Sequence, residues 1–144
     1  MRLRALRPLA ALAFVLAVAA CSDTPTQPAG DSLACNTTVG NIAPGDTVTG
    51  ILTVESCRFS DGTRADIWRL TLAAPAIITI DMTSTDVDPF LIVRDSTGFL
   101  IAQDDDGAGS PNARITHGFA AGTYYIIANT YYQNEYGGYE LSIE

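Results

Sequence analysis

The sequence predicts an all-β domain made of two packed sheets. Three observations carry that expectation. Short apolar runs recur at close, fairly even intervals, Gly, Pro, Asn and Asp fill the gaps between them, and no stretch shows the three-to-four-residue apolar spacing of a helix. The first strand, residues 47–52, follows the turn Pro44-Gly45-Asp46. Residues 67–72 alternate, with Trp68, Leu70 and Leu72 on one face and Arg69 and Thr71 on the other. Residues 77–82 alternate likewise through Ile78, Ile80 and Met82, leaving Thr79 and Asp81 outward. Residues 90–94 and 100–103 flank Asp95-Ser96-Thr97-Gly98, a hairpin-type turn in which Gly98 adopts positive φ at little cost. Residues 114–119, 123–130 and 139–143 complete a set of about eight strands, the last with Tyr139, Leu141 and Ile143 inward. Trp68 reads as core, because it lies on the apolar face of its strand.

The N-terminal end has a different character. Arg2, Arg4 and Arg7 precede an uncharged apolar run from residue 9 to 20, the plan of a secretory signal. The run is shorter than the roughly 20 apolar residues of a membrane-spanning helix. It ends in Val18-Ala19-Ala20-Cys21, which resembles the lipobox of bacterial lipoprotein precursors. That resemblance implies cleavage before Cys21, a thioether-linked diacylglycerol on its sulfur and acylation of the new amino group. Two or more acyl chains give stable attachment, each buried methylene contributing roughly 0.8 kcal/mol. The alternative is an ordinary secreted protein cut after Ala20. Ser22 resembles the residue found in lipoproteins sent to an outer membrane. The expected plan is therefore a signal peptide at 1–20, a polar, proline-bearing tether at 21–34 and one domain at 35–144. The first expected partner is the lipid bilayer, and the expected location is the cell envelope, at the outer membrane where the host has one.

Cys35 and Cys57 are an even pair once Cys21 is set aside. In an oxidising compartment they are expected to form a disulfide, which stabilises by roughly 3 kcal/mol on the chain-entropy model. Without the signal, the chain has five basic residues, all Arg, against sixteen acids, a net charge of −11. Such a surface repels nucleic acid and anionic headgroups and favours cations or neutral partners.

Two constellations suggest binding chemistry. Asp86, Asp88, Asp104, Asp105 and Asp106 supply the hard oxygen ligands that Ca²⁺ prefers, if the two loops that carry them meet at one end of the sandwich. The competing reading is that these aspartates form turns and solvated charge. Tyr131, Tyr132 and Tyr136 stand among Gln133, Asn134, Glu135 and two glycines, a composition suited to holding sugars or peptides by stacking and hydroxyl hydrogen bonds. The competing reading is that Tyr139 and one of the earlier tyrosines are core, with the rest covering a strand end. Catalysis is not expected. His117 is the one histidine, no G-x-S-x-G motif accompanies it, and no phosphate-binding glycine loop is present.

Five segments in order resemble the bacterial pre-peptidase C-terminal domain. They are Asp66-Ile67-Trp68-Arg69-Leu70, the run from Asp86 to Asp95, the run from Gly98 to Gly107, Ala121-Gly122-Thr123-Tyr124-Tyr125-Ile126, and Gly138-Tyr139-Glu140-Leu141-Ser142-Ile143. The third departs slightly, since Ile101 separates Leu100 from Ala102. The resemblance covers most of residues 47–144 and implies a jelly-roll-like antiparallel β-sandwich. It also implies an accessory role, because such domains usually follow secreted hydrolases and some relatives bind collagen or polysaccharide with calcium. No catalytic domain is expected to accompany this one. The expected function is a non-catalytic, surface-anchored module for a glycan, a peptide or another envelope protein, with calcium as a candidate cofactor. A purely structural envelope lipoprotein is the alternative, and a small hydrolase a distant one.

Overall fold

The computed structural model describes residues 38–144. Ten strands appear among them: β1 (Gly40–Ile42), β2 (Thr47–Leu52), β3 (Cys57–Arg58), β4 (Arg64–Leu72), β5 (Ala76–Thr83), β6 (Pro89–Asp95), β7 (Leu100–Asp104), β8 (Ala113–Phe119), β9 (Gly122–Thr130) and β10 (Gly137–Ile143). A six-stranded sheet runs β1-β4-β9-β6-β7, with β3 sharing the β1 edge of β4, and a four-stranded sheet runs β2-β10-β5-β8. All eight expected strands are present, as β2 and β4 to β10. The expectation of about eight falls short by β1 and β3, which are three and two residues long and too brief for any periodicity to register. β1 also departs from the antiparallel plan, pairing parallel to β4 from Gly40 opposite Trp68.

Alternation builds the core between the sheets. Leu70, Leu91, Ile126, Ile80, Met82 and Leu141 are fully enclosed, each contributed by a strand that turns every second residue inward. The six-stranded sheet is also covered on its outer face at the centre. Ile67 lies opposite Ile127, which lies opposite Ile92, and this row packs with Phe59 and Ala65 into a second apolar cluster. The unbroken apolar runs Leu91-Ile92-Val93 and Ile126-Ile127-Ala128 follow from that double burial.

One polar connection crosses the core. Asp66 and Trp68 are two residues apart on β4, so both face the other sheet. The Trp68 Nε1–H donates to the Tyr139 hydroxyl at 2.8 Å, and that hydroxyl donates to Asp66 Oδ2 at 2.9 Å. Tyr139 is on β10, so the chain of two bonds ties the sheets together. Two glycines make room for it. Gly50 lies opposite Tyr139 on β2, and a Cβ there would overlap the phenol ring. A Cβ on Gly40 would come within 2.7 Å of the Trp68 ring.

Removal of the central hydroxyl is expected to be costly, since it takes one donor from the buried Asp66 carboxylate and the acceptor from the part-buried indole N–H. Tyr139→Phe should lower unfolding free energy by about 2 kcal/mol, read from urea denaturation. A loss below about 0.5 kcal/mol, the range of an ordinary surface change, would show that the bonds do not hold the sheets.

Candidate functional site

The acidic and tyrosine-bearing segments gather at one end of the sandwich, in the loops before β6, after β7 and between β9 and β10. The chain leaves β9 at Thr130, whose hydroxyl donates to the Tyr132 carbonyl at 2.8 Å. The Tyr131 N–H then donates to the Asp88 carbonyl at 2.8 Å, and the Asp88 N–H donates to Glu135 Oε2 at 3.1 Å. These contacts lash the β9–β10 loop to the segment before β6. Asn134 takes a left-handed φ of 60°, a conformation its short amide side chain tolerates.

Tyr131, Tyr132 and Tyr136 are 48%, 58% and 41% exposed, values that place all three rings at the surface instead of in the core. They do not form one flat platform. Tyr131 meets Tyr132 edge to face, with centroids 4.9 Å apart, and meets Phe90 the same way at 6.0 Å. Tyr136 lies instead under the Arg64 guanidinium, 5.9 Å from ring centre to Cζ. Trp68, read as core, is half-buried and packs on the main cluster.

The aspartates divide by role. Asp86 Oδ2 accepts the Gly138 N–H at 2.9 Å, pinning the segment before β6 to β10. Asp104 Oδ2 accepts the N–H groups of Gly107 and Arg114 at 2.7 and 2.9 Å, closing the turn between β7 and β8. Gly107 is required there, because a Cβ would stand 2.6 Å from the same carboxylate oxygen. Asp95 is a turn former too, its Oδ1 accepting from Thr97 N, Thr97 Oγ1 and Phe99 N. The Thr97 hydroxyl and these backbone N–H groups hold its carboxyl below the ordinary value.

Asp88, Asp105, Asp106 and Glu135 form the remaining negative region. Desolvation raises the Asp88 carboxyl, and the charges of Glu135, Asp106 and Asp105 raise it further. Glu135 belongs with this group although the sequence set omitted it, because only the loop contact with Asp88 brings it there. Among the described residues, no group of three or more His, Cys, Asp and Glu side chains is placed to hold a metal ion. Within the expected calcium set of Asp86, Asp88, Asp104, Asp105 and Asp106, the Asp86 and Asp104 carboxylates each have one oxygen turned onto backbone N–H groups. Cys21 and Cys35 lie outside the described residues, as do the signal and tether segments. Cys57 is half-buried on β3 beside the outer apolar cluster.

The raised carboxyls have a pH signature. Asp66 is raised as well, mainly by desolvation, with hydrogen bonds from Tyr139 and Ser56 working against the rise. A carboxyl with a raised native value binds its proton more tightly folded than unfolded. Its contribution to stability therefore falls as pH rises from the unfolded value to the native one. Asp88→Asn should flatten that fall, seen as a smaller drop in urea midpoint between acid and neutral pH than in the parent. A steeper drop would contradict the assigned repulsion.

Residues 64–130 match the family model of the bacterial pre-peptidase C-terminal domain. Among solved structures, the chain is similar to the pre-peptidase C-terminal domain of collagenase from Bacillus anthracis, with 19% identity, a TM-score of 0.58, and coverage of 76% of this chain and 99% of that one. It is also similar to a periplasmic inhibitor of g-type lysozyme from Aeromonas hydrophila, with 13% identity, a TM-score of 0.46, and coverage of 74% and 98%. No curated protein matches the chain. The motifs, the two-sheet topology and the family match agree: residues 64–130 carry a match to the bacterial pre-peptidase C-terminal domain, and the sandwich has that domain's fold.

Proposed function

We propose that the chain is a non-catalytic binding module, anchored to the cell envelope through Cys21, that holds a glycan, a peptide or another envelope protein at the tyrosine-bearing end of its sandwich. The observation that carries this reading is the exposure of Tyr131, Tyr132 and Tyr136 on one short loop, next to the unneutralised acids around Asp88. Exposed aromatic rings contribute contact area at little conformational cost, and tyrosine adds a hydroxyl for hydrogen bonding. A monomer that serves only as a spacer gains nothing from keeping Tyr131 and Tyr132 in water.

The non-catalytic part of the reading is supported by His117. Its ring packs edge to face on Phe119 at 5.0 Å, in a strand and away from any nucleophile motif. The spacer alternative draws support from Asp86 and Asp104, whose carboxylates serve the fold. Pairing of Cys57 with Cys35 fits both readings, and Cys57 is not a free thiol. Calcium assistance gains no support from the donor geometry.

Three measurements test these statements. Cys21→Ala should move the protein from the membrane to the soluble fraction, and unchanged retention would refute the anchor. The double change Tyr131→Ala, Tyr132→Ala should abolish retention on immobilised envelope glycans and envelope proteins while shifting unfolding free energy by about 0.5 kcal/mol or less, as surface substitutions do. Retention equal to the parent would refute the tyrosine site. Ca²⁺ added to the full chain should leave the melting temperature unchanged, because only a bound native-state ligand raises it.

A further inference from the structure

A recess lies on the four-stranded sheet. The outer face of the four-stranded sheet is interrupted where Gly138 contributes no side chain to β10, leaving an open groove of about 760 Å³. Ile51, Thr49 and Thr83 line it together with Thr85, Asp86 and Glu140. We propose that this groove receives a Lys or Arg side chain from a basic protein partner. The stem would lie along Ile51 and the threonines over Gly138, and the cationic head would meet Glu140 and Asp86 Oδ1, which otherwise has only a long 3.4 Å contact from the Thr85 hydroxyl. This site goes beyond the tyrosine-bearing end and does not depend on it.

The rim is built and held. The Ser84 hydroxyl donates to the Gly138 carbonyl at 2.7 Å and accepts the N–H groups of Asp86 and Val87 at 2.9 and 3.1 Å. The Ser84 N–H donates to Asn112 Oδ1 at 3.1 Å, and the Gly138 N–H donates to Asp86 Oδ2 at 2.9 Å. Two of these bonds tie the loop from Ser84 to Val87 to β10, two fold it onto Ser84 and one ties it to Asn112, so it is held before any partner arrives. Such preorganisation spares a ligand the cost of ordering its site.

Charge selects the occupant. The lining contains two carboxylates and no basic side chain. Arg114, on the same sheet, is already clamped by Asp81 at 2.6 and 2.8 Å. The chain's basic residues are all Arg, and none of those among the described residues lines the groove, which leaves its carboxylates accessible to a partner's cation. Ile51 is 68% exposed, and an apolar wall beside a carboxylate matches a side chain whose methylenes pack while its head stays polar.

The test uses the full chain in nonionic detergent, titrated with hexalysine and with hexaarginine at low salt and followed by calorimetry. Glu140→Gln removes the charge, and Gly138→Ala fills the floor without altering charge. A Cβ on Gly138 finds its nearest neighbour at 3.5 Å and the residue is not at positive φ, so the variant folds without strain. Each change should weaken binding of at least one peptide by about tenfold, the effect of one charge-assisted hydrogen bond or its exclusion. Glu55→Gln, an acid outside the groove, should change it little. Absence of binding in the parent would overturn the site, as would equal losses in the Glu140 and Glu55 variants or an unchanged affinity in Gly138→Ala. The Tyr131→Ala, Tyr132→Ala variant should bind both peptides like the parent, so failure of the tyrosine reading and failure of this one are separately visible.

Discussion

The link from Trp68 through the Tyr139 hydroxyl to Asp66 is the constraint around which this sandwich is arranged. Apolar contacts hold the sheets together without specifying how far one slides over the other. A chain of two hydrogen bonds with defined donors and acceptors specifies it, because any other register leaves a buried carboxylate and an indole N–H without partners. Burial pushes the Tyr139 hydroxyl far above its usual titration range, so it remains a donor to Asp66 at any physiological pH. Gly50 and Gly40 then follow as requirements, since each lies under one of the two rings.

The same link gives physical content to the family motifs. The Asp-x-Trp of β4 and the Gly-Tyr of β10 are far apart in sequence and meet in one hydrogen-bonded unit. The Asp86 and Asp104 segments likewise act on backbone N–H groups, each carboxylate replacing ladder pairing where a strand ends. Much of what looks like ligand chemistry in this family's sequence pattern is therefore connection chemistry in this chain. The tyrosine loop lies between the motifs, while the groove over Gly138 draws Asp86, Gly138 and Glu140 from within them.

Both candidate surfaces are shaped by the segment from Ser84 to Asp88. Its Ser84 and Asp86 side chains form the rim of the groove on the four-stranded sheet. Two residues later, the backbone of Asp88 anchors the tyrosine loop. A short, well-pinned loop thus carries two surfaces of different chemistry, one with exposed rings and one with a recess bearing two carboxylates. The acidic excess of the chain makes basic partners the favoured ones at long range.

Strand positions were legible in the sequence wherever alternation lasted five residues or more, as in β5 and β10, because period-two burial is a local property of the chain. The hairpin at Asp95–Gly98 and the core placement of Tyr139 were legible for the same reason, whereas the exposure of all three of Tyr131, Tyr132 and Tyr136 was not, because alternation required only one of the first two to face outward. β1 and β3 were not, since strands of three and two residues carry no period and exist only because β4 offers them an edge. Nor did the list of aspartates show which carboxylates were free. Whether an aspartate closes a turn or faces solvent depends on which backbone N–H lies within 3 Å. The recruitment of Glu135 beside Asp88, and the recess left by Gly138 between Ile51 and Thr85, are decided in the same way. Residue type and local spacing determined the sheets, while contacts between segments far apart in the chain decided where its surplus charge lies and which face has room for a partner.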